Sequence, residues 1–387
     1  MYRTDLSPAE AAVSPLAARP GSTGSERALK VAVIGHIRHP VAEPYMGGME
    51  AHCASLCEGL VAAGHEPTLF AAPDADVSCG SVAICDRPYE EVFPWAAWRG
   101  SAELDAYQSD AFGRAWREIE DGDFDVVHNN SLFPPLIGWA AAARVPMLTS
   151  QHVPPFGTMH DAVCNVADVA HARFTVTSFA QVPLWFDDAP ANLTAVYNGI
   201  DCRAFSPGAK HGRLVWTGRI TPNKGTALAA RAAQIAGVAL DIAGSIEDED
   251  YFAREVAPHL GGKVRFLGHM KGDALRSLVA GASAVVATPT WEEPFGLVVA
   301  EALACDVAVI AFDRGAMSEV IGDCGVIVPA ADVNALAEAM AKPPSLATGQ
   351  ARRRALSLFS NDRMIEGYVA QYRLAMAAAR EAEEAAA

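Results

Sequence analysis

The sequence predicts an α/β protein made of two doubly wound parallel sheets facing each other across a cleft. Three observations point to it. Short apolar runs alternate with segments of helical period, the pattern of strands buried on both faces and joined by crossover helices. The series breaks at a turn-rich stretch, FSPGAKHG, and then starts again. A chain of 387 residues, 51% of them hydrophobic, is also larger than one ordinary core accommodates.

Taken in order, residues 1–28 are rich in Ala, Pro, Ser and Gly and read as a disordered leader. The first unit, 29–205, opens with the buried-strand run LKVAVIG. Met49 to Ala63 has helical period, with Gly64 as its stop. EPTLFAA is the next strand, followed by DFDVVHNN (strand), PLIGWAAAAR (helix), and VPMLTSQH, ARFTVTS and LTAVYNG as strands. The second unit, 206–361, alternates strictly. RLVWTGR, VALDIAGS, KVRFLGHM, SAVVATPT, VAVIAFDR and CGVIVPA are its strands. GTALAARAAQIAG, EDEDYFAREVAPHLG, DALRSLVAGA, EPFGLVVAEALACD and MSEVIGD are its helices. The terminal helix, 362–387, is long enough to reach back toward the first unit.

Charge and cysteine usage narrow the function. Lys+Arg number 30 against Asp+Glu 46, a formal charge of −16, which disfavours nucleic acid and anionic lipid as default partners. The charge is uneven. Residues 1–205 hold 12 basic and 25 acidic residues, and 206–387 hold 18 and 21. The second unit is therefore the better host for an anion. Eight cysteines show neither CxxC nor zinc-finger spacing, as expected for buried reduced thiols in the cytosol. No secretory signal or membrane-length apolar run is present, so a cytoplasmic location is expected. Asp-x-Asp pairs recur too often in so acidic a chain to mark a metal site, and none is expected.

Ligands of open parallel sheets bind beyond the carboxyl ends of the strands, so the residues just after each strand are the candidates. Glu293-Pro294-Phe295-Gly296-Leu297 opens a helix whose free N–H groups and dipole suit a phosphate or sugar oxygen. Glu293 and Glu301, eight apart, fall on roughly one side of that helix. The plain alternatives are a favourable charge at a helix start, about 0.3–1 kcal/mol, and a solvated helix residue. Glu301 sits in the apolar run LVVAEALA, where a carboxylate needs a partner. The loop Thr217 to Gly225 carries Arg219 and Lys224, able to reach one anion; it lacks the Walker order. Gly47 and Gly48 precede a helix and permit close backbone approach, although the spacing is not GxGxxG. His128 and His152 close two strands and are expected to point into the cleft.

These pieces, in this order, resemble the retaining glycosyltransferases of family four, which have the GT-B fold. The GGME helix start, DVVH, TSQH, VYNGID with FSP, TGRITPNKG, VRFLGHM and EPFGLVVAE span about 29–375, and the last is the Glu-x7-Glu signature. The resemblance implies that Arg219 and Lys224 hold the diphosphate of a nucleotide sugar, UDP- or GDP-linked. It implies that Glu293 binds donor-sugar hydroxyls and that Glu301 binds the ribose. Phe295, Gly296 and Leu297 would offer backbone groups, Gly48 would approach the phosphates from the opposite unit, and Gly268 would lie near the base. His152 would line the reaction centre, with His128 in the cleft as a weaker match. Two departures stand out: Tyr197-Asn198-Gly199 replaces Pro-Asn-Gly, and HNN replaces the commoner His-x-His.

The expected activity is therefore metal-independent, retaining transfer of a hexose to a saccharide, lipid-linked or small-molecule acceptor. No separate cofactor is expected, and the acidic first unit does not favour stable membrane association. A GT-B sugar-nucleotide epimerase and a non-catalytic sugar-nucleotide-binding protein are the competing readings.

Overall fold

The computed structural model describes residues 27–385, so nearly all of the expected leader lies outside the described residues. The first sheet has seven parallel strands in the order β3-β2-β1-β4-β5-β6-β7. They are β1 Lys30–Ile34, β2 Glu66–Ala71, β3 Gly80–Ala83, β4 Val126–Asn129, β5 Met147–Gln151, β6 Ala172–Val176 and β7 Leu193–Ala195. Its principal helices are α1 Gly48–Ala62, α2 Ala102–Asp121, α3 Pro135–Ala143 and α4 Gly157–Cys164. The second sheet has six parallel strands in the order β10-β9-β8-β11-β12-β13. They are β8 Leu214–Thr217, β9 Leu240–Ala243, β10 Val264–Phe266, β11 Ala284–Ala287, β12 Val309–Phe312 and β13 Gly325–Val328. Helices α5 Thr226–Ala236, α6 Gly272–Ala280, α7 Leu297–Ala304, α8 Met317–Ile321, α9 Val333–Ala341 and α10 Gln350–Leu358 accompany it. This is the GT-B arrangement. In each sheet the strand order reverses beside the first strand, at β1/β4 and β8/β11, and the crevice opens beyond those strands' carboxyl ends.

The strands form where they do because they are buried on both faces. β4, β5, β8, β9, β11 and β12 are buried at every position. β3 lies at a sheet edge and is mostly exposed, so it carries no continuous apolar run. α2 is capped by Ser101, whose Oγ accepts from Leu104 N at 3.2 Å, and it buries Leu104, Phe112, Ala115, Trp116 and Ile119 on one face. The stretch expected as one helix at EDEDYFAREVAPHLG is instead an α turn, a π turn and a 3₁₀ turn in succession. Pro258 has no N–H to extend the ladder and ends it.

The last helix, α11 Asn361–Glu384, leaves the second unit and lies on the first. Met364, Ile365, Tyr368, Val369 and Tyr372 share one core with Val31, Val33, Leu56 and Leu60. A side-chain carbon at Gly59 would stand 2.5 Å from Ile365 Cγ1, so α1 and α11 can approach this closely only over a glycine. Arg352 ties the connection between the units by donating to the carbonyls of Cys202 and Phe205, both at 3.0 Å.

One charge is buried in the second sheet. Asp241 on β9 accepts from Arg265 Nε and Nη2 and from Arg213 Nε, each at 2.8 Å. Burial works against its charge, but the two guanidinium groups outweigh burial and hold the carboxyl below its ordinary range. Asp241→Ala should lower stability at pH 7 by about 2–3 kcal/mol in denaturant titration, the scale of lost charged hydrogen bonds. Because the folded pKa is depressed, the contribution is present above about 3.8 and is lost as pH falls through the folded value. The wild-type and variant curves should converge in acid.

Candidate active site

The loops after β8 and β11 are stitched together. Thr288, just past β11, donates its hydroxyl to the carbonyls of Lys224 and Gly225 at 3.0 and 2.9 Å, and it accepts from Trp216 Nε1 at 3.0 Å. Thr290 N bonds Asn223 O at 2.9 Å, and Thr290 Oγ1 donates to Pro222 O at 3.0 Å. Gly225 has φ 65° and lies against Thr288 O, a position that excludes any side chain. These bonds bring Lys224 to Glu293. Lys224 Nζ donates to Glu293 Oε2 at 2.6 Å, and Trp291 Nε1 donates to the same oxygen at 2.7 Å. The ammonium also lies 5.3 Å from the Trp291 ring centroid. Glu293 is 8% exposed.

Two helix starts converge here. α7 begins at Leu297 behind Gly296 at φ 85°, and α1 begins at Gly48 on the opposite unit. A Cβ at Gly48 would lie 3.7 Å from Leu297 Cδ1, so the first residues of the two helices are in contact. The first-turn N–H groups and dipoles of the two helices, with Lys224, bring positive ends to this place, beside the Glu293 and Glu50 carboxylates. Gly268 O accepts from Gly244 N at 2.9 Å, and Gly244 packs directly on Gly218, which places Gly268 beside the β8 and β9 loops.

Several expectations need correction. Glu293 is not in the helix; it lies in the loop four residues before α7, because Gly296 in the left-handed region cannot continue a helix backward. Glu293 and Glu301 therefore do not share a helix side. Arg219 and Lys224 hold different carboxylates, Glu247 at 3.0 Å on the surface and Glu293 at 2.6 Å. The Phe295 ring packs in the core against Tyr197 and Phe359, consistent with the backbone role expected of it. His128 does not open into the cleft. It is fully buried under α11, with Nδ1 bonded to Tyr372 Oη at 2.5 Å and Nε2 to Ser150 Oγ at 2.8 Å. It is a structural histidine that α11 covers from 244 residues away in sequence.

His152, just past β5, is half-buried, and burial lowers its pKa to about 4. Its Nε2 lies 2.9 Å from Asn130 Oδ1, and its ring lies 4.2 Å from that of His52, centroid to centroid. Glu301 on α7 is half-buried, and loss of hydration pushes its carboxyl up to about 7.

Residues 46–204 match the family model described as Glycosyltransferase Family 4, and residues 211–342 match that of Glycosyl transferases group 1. The two matches fall one on each unit and together support a glycosyltransferase of the family-four type. A D-inositol 3-phosphate glycosyltransferase of Mycolicibacterium paratuberculosis is 28% identical, with 90% of each chain covered. A phosphatidyl-myo-inositol mannosyltransferase of Mycolicibacterium smegmatis is 26% identical, with 84% of each covered. Among solved structures, a glycosyltransferase involved in avilamycin A biosynthesis is 26% identical with a TM-score of 0.66, covering 90% of this chain and 98% of that one. The sucrose-phosphate synthase of Thermosynechococcus elongatus shares the fold at a TM-score of 0.71, 21% identity, and coverage of 90% and 100%.

The glycosyltransferase also has a latch between its units that the sequence reading missed. Thr177 and Ser178, just past β6, donate their hydroxyls to Pro294 O at 3.0 and 2.7 Å. Glu319 on α8 accepts from the backbone N–H groups of Phe179 and Ala180, each at 2.8 Å. The first unit thus holds the Glu293–Gly296 loop in place. Glu319→Ala should leave two N–H groups without their acceptor and reduce kcat/KM at least about tenfold, one charged hydrogen bond's worth. Small-angle scattering of the free variant should show a larger radius of gyration.

Proposed function

We propose that this glycosyltransferase moves a hexose from a nucleotide-diphosphate sugar to a hydroxyl acceptor with retention of anomeric configuration. The observation that carries the reading is the Lys224–Glu293 pair in the loop just before α7, whose first residue, Leu297, meets Gly48 at the start of α1. When the glycosidic bond breaks, negative charge gathers on the diphosphate oxygens. Lys224 has three donors and uses one on Glu293, so others remain for phosphate. Arg219 is held by an exposed ion pair worth at most about 1 kcal/mol, so it is free to exchange Glu247 for phosphate. The leaving charge is thus met by protein cations and fixed dipoles. Glu293, fixed by Lys224 and Trp291, presents its remaining oxygen to donor-sugar hydroxyls and is a positioning group rather than a nucleophile. The departing phosphate takes the acceptor proton as the acceptor attacks from the same face. Glu301 binds the ribose, and Gly268 lines the base.

The inositol-containing acceptors in the relatives' names make inositol phosphates and inositol lipids the first acceptors to test. The test is mass-resolved product analysis with each donor, with and without acceptor. Acceptor-dependent release of nucleoside diphosphate, with a product of the donor's anomeric configuration by proton NMR, is the expected result. An inverted product overturns retention. Conversion of the donor without acceptor favours an epimerase instead.

A further inference from the structure

We infer that Asn130 is a positioning residue that sets the tautomer of His152, and through it the hydrogen bond His152 offers to the reacting sugars. The inference rests on the sugar-transfer reading above for its function, but not for its structural content. Asn130 follows β4, donates its backbone N–H to Ile34 O at 2.8 Å, and is 2% exposed. Its Oδ1 lies 2.9 Å from His152 Nε2. A carboxamide oxygen only accepts, so Nε2 carries the ring proton and Nδ1 keeps the lone pair. Among the described residues Asn130 Nδ2 has no hydrogen-bond partner, so among them the bond to His152 orients the amide.

The surroundings keep the ring neutral. The titratable groups that face it are His52 on α1 and His128 on β4, with Tyr368 on α11 behind them bonded to His52 at 3.4 Å; among the described residues no carboxylate joins this cluster. Burial lowers all three histidines below their ordinary value. A neutral ring suits this centre. Sugar transfer builds positive charge at the anomeric carbon, which an imidazolium would repel, whereas a lone pair on Nδ1 accepts from a sugar hydroxyl. This also accounts for the departure from His-x-His at HNN. Asn130 stands at the second histidine position and replaces a titratable partner with one that can hold Nε2–H without adding charge.

The experiment is long-range proton–nitrogen NMR of the histidine rings in the full-length protein, with His152 assigned by its loss in His152→Gln. The wild type should show the Nε2–H tautomer with no titration from pH 5 to 8. Asn130→Ala should shift the ring toward the Nδ1–H form. Asn130→Asp, nearly isosteric and a guard against misfolding of the alanine variant, should keep Nε2–H but bring the ring's titration into that pH range by pairing it with a carboxylate. An Nδ1–H wild-type ring, or an unchanged ring in both variants, overturns the inference. These readouts need no sugar, so they stand apart from the transfer reading. In turnover, Asn130→Ala should lower kcat about tenfold, one hydrogen bond's worth, with donor KM unchanged. An equal loss through KM alone would reduce Asn130 to a binding contact.

Discussion

Lys224→Ala should lower the rate of sugar transfer by about 10³-fold, the effect of deleting one preorganised donor from a developing anion. Lys224 reaches Glu293 at 2.6 Å from a loop pinned by Thr288 and Thr290, so its ammonium is in place before the donor arrives. The same change strips Glu293 of its cation inside a largely dry loop. Stability should fall by about 1–3 kcal/mol for that reason alone. The two losses separate in the double variant Lys224→Ala/Glu293→Gln. It should recover most of the stability in denaturant titration and none of the activity in a nucleoside-diphosphate release assay. Recovery of activity would mean that the cation serves Glu293 rather than the leaving group.

Glu301→Gln should stabilise the free enzyme and weaken its hold on the donor. Burial raises the Glu301 carboxyl from 4.5 to about 7. Between those values the unfolded chain has released its proton while the folded chain retains it. The folded state is therefore disfavoured progressively as pH rises from about 4.5 to 7, and by a constant amount above. Glutamine removes that penalty, so the variant should gain at most about 3 kcal/mol at pH 8 and nothing near pH 4. Ribose hydroxyls donate to an ionised carboxylate. Donor affinity in the wild type should therefore rise from pH 6 to 8, with proton release visible as buffer-dependent heat in calorimetry. Glu301→Gln should lose about tenfold or more in affinity and the proton release with it. A variant with unchanged donor affinity would remove Glu301 from the ribose.

Most of the architecture was legible in the chain because strands buried on both faces read as uninterrupted apolar runs. β1, β4, β5, β8, β11 and β12 stand where those runs stand. β3 was not legible, since an exposed edge strand has no such run. The break at Pro258 was visible as a residue but was absorbed into a helix by the apolar period around it. The site was legible only as types of residue after strands: Lys224 meets Glu293, and Gly48 meets Leu297. Their pairing was not, because it depends on loop-to-loop bonds such as Thr288 to Gly225, across 63 residues. His128 went astray for the same reason: α11, which covers it, is remote in sequence. The latch from Thr177, Ser178 and Glu319 joins groups more than 100 residues apart, and no local pattern announces it. Its one trace is a pair of hydroxyl residues closing the strand ARFTVTS.

Anion capture by a net-acidic protein is the central claim, and thermal unfolding with a panel of nucleotide sugars tests it most directly. A ligand that binds only the folded state raises the melting temperature by mass action. At least one nucleotide sugar, and the matching nucleoside diphosphate, should raise it for the wild type. Lys224→Ala should abolish both shifts. No shift with any member of the panel, or equal shifts in the wild type and Lys224→Ala, would contradict the account.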